Sequence, residues 1–261
     1  MGRKKIDKTG EINYNNFGSK MIIVDYRKAI DIDVYFPEYD WTAKNMQYGN
    51  FKNGKLTCPY EKRTYSVGYI GEGKYTSREN GKLTKCYKTW IHMLQRCYDD
   101  KYHNEKPTYK DCNVCEEWLC FQNFAKWYYD NYYEIEGKET HLDKDILYKG
   151  NKIYSPNTCI FVPSQINTLF VKCDKLRGDY PIGVSHHKRD KKFHAKCSVY
   201  DFKENKIKRR HLGYYNTPEQ AFKAYKEFKE KHIKEVADYY KEQIPNKLYQ
   251  ALYNYEIEIT D

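Results

Sequence analysis

No apolar run in the chain approaches the length of a membrane span. The basic opening "MGRKKIDKTG" is followed by no apolar segment of the signal-peptide kind. Both absences point to an intracellular, soluble protein with no membrane partner. A disulfide framework is missing as well. The nine cysteines, at 58, 86, 97, 112, 115, 120, 159, 173 and 197, are odd in number and irregular in spacing, which suits reduced and often buried thiols. Cys112 and Cys115 form a C-x-x-C pair with Cys120 nearby, but a structural zinc wants a second pair, and Cys159 and Cys173 stand far apart. No structural zinc is expected; small buried residues around Trp118 are the plainer reading. Apolar content is modest too. Hydrophobic residues make up 40% and charged residues 31%, with a mean hydropathy of −0.99, which argues for small modules rather than one thick core.

What the chain has in excess is positive charge. Its 46 Lys and Arg against 36 Asp and Glu leave a net +10, a balance that favours a polyanionic partner, most often nucleic acid. A lysine-rich protein of an A/T-rich genome would show the same excess, along with the 29 tyrosines. Distribution separates the two readings. Residues 178–211 hold ten Lys and Arg against four Asp and Glu, a net of +6 in one short segment. Such clustering marks a binding face.

Along the chain, residues 1–85 carry short strand-like runs at 21–24, 33–36 and 65–70, punctuated by the turn signals "NG", "GEG" and "ENG". From residue 87 the period changes. Trp90, Met93, Leu94 and Cys97 fall at i, i+3, i+4 and i+7, an amphipathic helix. "EEWLCFQNFAKWYYDNYY" predicts a second, with Trp118, Phe121, Phe124, Ala125 and Tyr128 on one core-facing stripe. A strand over 141–147, a turn through "YKGNKIYSPN", a strand over 158–162 and a helix from Pro163 follow, and residues 172–181 read as a linker. Three strands are then expected at 182–187, 192–200 and 206–214. A helix should start with Thr217 as N-cap, Pro218 at the first position and Gln220 closing a capping box, and stop before Pro245. The closing "KLYQALYNYEIEITD" reads as a short helix and a strand-like tail that pairs with another element.

Within the basic segment, Phe193, Ala195, Cys197 and Val199 alternate with Lys192, His194, Lys196 and Ser198. The apolar face should receive the helix. The other face would expose its donors together with His187, Lys188 and Arg189 from the first hairpin and Lys208, Arg209 and Arg210 from the third strand. "GVSHHKRDKKFHAKC" and "RRHLGYYNTPEQAFKAY" resemble the APETALA-two/ethylene-response-factor DNA-binding domain, over about a quarter of the chain. The resemblance implies contact with double-stranded DNA. The arginines usual just after Gly-Val are Ser185 and His187 here, so the family's base contacts do not carry over at those positions.

The stretch "THLDKDILYKGNKIYSPNTCIFVPSQIN" is similar to the hairpin of phage HNH (ββα-metal) endonucleases. The upstream "KTWIHMLQRCYD" and "VCEEWLCFQNFAKW" extend that resemblance over roughly residues 87–170. It implies Asp143 and Asn167 as metal ligands, Asn157 as the loop brace, and Mg²⁺ or Mn²⁺ as the cofactor if the site is active. The general base of the family is a histidine directly after the aspartate; this chain has Lys144 there. An ammonium in water stays protonated near neutral pH and accepts no proton unless strongly desolvated. His141, two residues before Asp143, would share its strand face and is the candidate displaced base. Surface placement of His141 and ion pairs of Asp143 and Asp145 with nearby lysines are the plainer alternatives.

The expected architecture is α+β: a β-rich module over 1–85, an HNH-like ββα centre over 86–172, a three-stranded antiparallel sheet packed on a helix over 178–245, and a tail over 246–261. The expected function is that of a phage-type DNA-binding protein, in the cytoplasm of an infected bacterium, with a degenerate nuclease centre. The alternatives are an active, metal-dependent, homing-like endonuclease and a repurposed anti-defence or regulatory protein that binds nucleic acid or a host protein.

Overall fold

The computed structural model describes residues 7–170, 179–202, 204 and 206–261. Helices and antiparallel sheets are mixed, which makes the fold α+β. The chain divides into two compact units, Met1–Asp130 and Asn131–Asp261. That division falls inside the segment 86–172, expected as one HNH-like module. Most of the linker read at 172–181 lies outside the described residues.

In the first unit, strands β1 (Ile12–Tyr14), β2 (Lys20–Lys28), β3 (Asp31–Phe36) and β4 (Trp41–Met46) form an antiparallel meander in chain order. Strict alternation along β3 buries Ile32, Val34 and Phe36 against Met21, Ile23 and Phe51. The strand expected at 65–70 does not form. Tyr65 and Ser66 both take positive φ, and Tyr69 instead exchanges backbone hydrogen bonds with Leu119 (3.0 Å) and Phe121 (2.9 Å). That exchange breaks the second expected helix. Cys120 is extended, between α2 (Glu116–Leu119) and α3 (Phe121–Asn131). The preceding helix α1 (Lys85–Tyr98) follows its sequence stripe, with Trp90, Met93, Leu94 and Cys97 buried and Thr84 capping the Tyr87 N–H at 3.1 Å. All four tryptophans, at 41, 90, 118 and 127, belong to this unit.

The second unit opens with β5 (Thr140–Asp143) paired antiparallel to β6 (Ile160–Pro163), which runs into the single-turn helix α4 (Ser164–Asn167). Next come β7 (Val184–His187), β8 (Lys192–Asp201) and β9 (Lys206–Tyr215), an antiparallel sheet in chain order, and the long helix α5 (Pro218–Tyr240). Thr217 Oγ1 accepts from the Gln220 N–H at 3.3 Å as expected, but the Gln220 side chain returns to the Asn216 N–H, one residue before the cap. Pro245 precedes the last helix, α6 (Asn246–Tyr253).

Val184, Ala195, Cys197 and Val199 meet Ala221, Phe222, Tyr225, Ile233 and Val236 beneath the sheet. The same core takes in Ile160, Val162 and Ile166 from the hairpin and Leu248, Leu252 and Ile257 from the last sixteen residues. Hairpin, sheet and tail, read from sequence as three parts, therefore share one interior. The tail is not a strand: residues 254–261 are irregular and held by side chains. Gly183 lets the chain enter β7 against the helix, with φ at +78 and no room for a Cβ beside the Tyr225 ring.

Candidate functional site

Two neighbouring features of the second unit carry the chemistry-bearing residues. The first is the sheet face that α5 leaves open. Alternation along β8 places Lys192, His194, Lys196 and Ser198 there, and the pairing adds Ser185 and His187 from β7. Strand β9 would contribute alternate residues, but its register slips between Ala195 and Lys196: Gly213 opposes Ala195 while His211 opposes Lys196, so Leu212 is the extra residue of a bulge. Because of that bulge, His211 and Tyr214, three apart, point the same way instead of to opposite faces. Both converge on His194. Its ring lies 4.1 Å from the His211 ring and is stacked on Tyr214 at 4.7 Å, and His187 meets the same tyrosine at 5.3 Å.

This stack corrects the expectation that His194 is exposed. Only 7% of it is accessible, and its Nε2 meets no hydrogen-bond partner among the described residues. Burial first, then the neighbouring Lys196, His211 and His187, pushes its pKa down to about 4. Because the folded pKa lies below the ordinary value, the unfolded chain takes up the proton first on acidification. The stability held by neutral His194 is complete above about pH 6.5 and is lost as the pH falls toward 4. His211 and Tyr214 are themselves exposed, so water reaches the stack and the effect is about 1–2 kcal/mol. His194→Phe, which keeps a ring but no proton, should lose that much less stability than the parent between neutral and mildly acidic buffer in urea titrations; parallel losses would show that His194 does not carry the effect.

The third strand also divides its cations. Arg209 opposes Ser198 and joins the open face. Lys208 opposes Val199 and Arg210 opposes Cys197, which puts both on the helix side of the sheet. Lys208 is moreover engaged by Asp201 (2.7 Å) and Glu204. Lys208 and Arg210 therefore leave the predicted set for this face. Lys188 and Arg189 sit exposed in the β7–β8 turn, where Asp190 accepts from Arg189 at 3.0 Å and lies 3.2 Å from His187. What remains is a ring of donors (Lys188, Arg189, Lys192, Lys196, Arg209) around an aromatic and imidazole centre, suited to phosphate oxygens and to flat groups.

The second feature is the hairpin. Asp143 ends β5: its Oδ1 accepts from the N–H groups of Asp145 (2.9 Å) and Ile146 (2.7 Å), which turns the chain out of the strand. The strand expected over 141–147 is short for that reason. Burial, then the charge of Asp145, pushes the Asp143 carboxyl up to about 6. Lys144 is buried. Its Nζ donates to the Asn151 carbonyl (3.0 Å) and to Asp145 Oδ2 (3.2 Å), closing the loop from inside. Asn151 answers with its amide, donating to the carbonyls of Lys144 (2.7 Å) and Ile153 (2.8 Å). The loop brace is thus Asn151 and not Asn157, whose side chain is exposed and whose carbonyl accepts from Lys247 at 3.3 Å.

His141 is exposed, opposite Val162, with Nε2 3.7 Å from Glu139 Oε2, and Asn167 is half-buried at the end of α4. Among the described residues no three His, Cys, Asp or Glu gather as a metal-holding group. Oδ1 of Asp143 is taken up by the turn, and the residue directly after it presents an ammonium held by Asn151 and Asp145. Sequence reasoning missed Asn151, Leu212 and Tyr214. The lone glycine at 213 inside a strand pattern was the available sign of the bulge.

Compared with protein-family models, curated proteins and solved structures, the chain matches none.

Proposed function

We propose that the chain binds duplex DNA with the open face of the β7–β8–β9 sheet, and that the hairpin beside it is a nuclease-type ββα element without a working base. The observation that carries this reading is the distribution of charge. The one face of the sheet not covered by α5 bears Lys192, Lys196 and Arg209, with Lys188 and Arg189 at its turn. Cations held in rows on a narrow twisted sheet match a phosphate backbone, and their exchange for bound counterions drives binding. The β5–loop–β6–α4 order, with Asp143 on the first strand and Asn167 on the helix, supports the hairpin reading; Lys144, committed to Asn151 and Asp145, is the reason no water-activating base is assigned.

The test is filter binding to duplex DNA over a salt series. Lys192→Ala, Lys196→Ala and Arg209→Ala combined should weaken binding on every sequence and flatten the log K against log salt slope by about one unit per contact. Lys208→Ala with Arg210→Ala should change it far less. An unchanged slope in the triple variant removes this face from the reading. Metal-dependent cleavage is the competing function, favoured by the common strand face of His141 and Asp143. Cleavage in Mg²⁺ or Mn²⁺ that EDTA stops and His141→Ala abolishes would establish it.

A further inference from the structure

Residues 254–261, "NYEIEITD", carry three acids and no base. They are pinned onto the hairpin loop and α5 by lysines. Lys149 Nζ, from the loop after β5, donates to Asp261 Oδ2 (2.7 Å) and to the Glu256 carbonyl (3.1 Å), with Glu258 Oε1 at 3.9 Å. Lys226 donates to the Ile257 carbonyl at 2.7 Å, and the Ile257 N–H donates to Glu230 at 2.8 Å. Asp261 is only 7% exposed and also accepts the Glu258 N–H at 2.8 Å. Tyr255 rests on Phe170, ring centres 4.6 Å apart, and beneath Lys149 at 5.6 Å.

Around this contact the loop presents other groups suited to an anionic strand. Tyr148 is 54% exposed, Lys152 is exposed, and the exposed Lys247 reaches over the Tyr148 ring at 6.0 Å. A cleft of ≈ 470 Å³ runs alongside, with Tyr148, Lys149, Lys247, Tyr255 and Glu258 in its walls, so the acidic segment borders open solvent. Lys149 is therefore surrounded by two carboxylates and a carbonyl in the place where a phosphodiester would supply equivalent oxygens.

We propose that the loop bearing Tyr148, Lys149 and Lys152, with Lys247, is a second DNA-backbone contact, and that the acidic segment 254–261 masks it by occupying Lys149 as an internal polyanion. The inference rests on the reading that the chain binds DNA. Binding exchanges one set of oxygens on Lys149 for another and forms no covalent bond. The masking lowers affinity until a phosphate displaces Asp261 and Glu258, which sets a threshold against weak, non-specific contact.

The test uses the full chain and duplex DNA. Glu258→Gln combined with Asp261→Asn should tighten binding roughly three- to tenfold at low salt and steepen the salt slope by about one unit, the mark of one added phosphate contact. Should the Asp261 change impair folding by circular dichroism, Glu258→Gln alone serves, because that side chain is 65% exposed. In a Lys149→Gln background the same tail changes should do nothing. Glu219→Gln with Glu227→Gln removes equal charge from α5 and controls for net charge. An equal gain from that control, or a gain that survives Lys149→Gln, overturns the masking while leaving DNA binding in place. Absence of DNA binding by the wild type and every variant overturns the DNA reading itself, and the masking with it.

Discussion

Gly183→Ala should cost the second unit about 2–5 kcal/mol, the largest loss expected from any single change here. Two effects add. A residue with a Cβ pays about 1–2 kcal/mol to hold a left-handed φ, and Gly183 sits at +78. The new methyl would also lie 2.1 Å from Tyr225 Cδ2 and 2.4 Å from two further ring atoms, which forces the ring out of the core beneath β7. Overpacking of this kind costs about 1–3 kcal/mol. Small domains are stable by only about 5–15 kcal/mol, so the variant should be partly unfolded at room temperature or melt far earlier. Gly150→Ala is the matched control: its φ is +79 and nothing lies within 4 Å of the added carbon, so it should cost only the backbone share. Equal far-UV circular dichroism midpoints for the two variants would show that Tyr225 does not press on Gly183 as described.

Lys144→His should destabilise the hairpin by about 2–3 kcal/mol and still give no robust cleavage. By the resemblance to HNH hairpins, this exchange would put back the residue that serves there as base. The structure assigns the lysine other work, because its ammonium closes the loop on the Asn151 carbonyl and Asp145 from a position only 7% exposed. An imidazole is too short to reach both acceptors and leaves the carbonyl of half-buried Asn151 without its donor, while Asp145, half exposed, recovers water. The imidazole would then hang in a loosened loop rather than beside a positioned water, and proton abstraction depends on that position first. Thermal melts and plasmid nicking with Mg²⁺, Mn²⁺ or EDTA decide the matter together. Undiminished stability with strong metal-dependent nicking would mean that the lysine is no pin and that one residue alone had disarmed the site.

Wherever local periodicity and capping agree with burial, the fold is legible in the sequence. The alternation of Phe193, Ala195, Cys197 and Val199 and the Thr217–Pro218 helix start appear in the structure nearly where the pattern puts them. Features decided by contacts distant in sequence are not legible. Nothing in "EEWLCFQNF" announces that the backbone of Tyr69 will enter at Cys120 and split the helix. Nothing in the run Lys208–Arg209–Arg210 tells which of the three shares a face with Lys196, because the answer depends on the register with β8. The candidate site shows the same division. Asp143 could be found by its place in a motif, but the burial of Lys144 and the bracing by Asn151 depend on how the loop closes, and one asparagine in "GNKIYSPN" looks much like the other. The tail alternates like a strand, yet Lys149, Lys226 and Glu230 claim its polar groups before another strand could.

The placement of all four tryptophans in residues 1–130 gives the chain an optical asymmetry. Red-edge excitation selects indole and so reads only the first unit, whereas residues 131–261 emit through tyrosine alone. One denaturant series followed in both channels therefore tells whether the two halves melt together or in turn. Tyrosines are found in both units, so quenching of tyrosine on titration with nucleic acid is assigned to Tyr148 or Tyr214 only where Tyr148→Phe or Tyr214→Phe removes it.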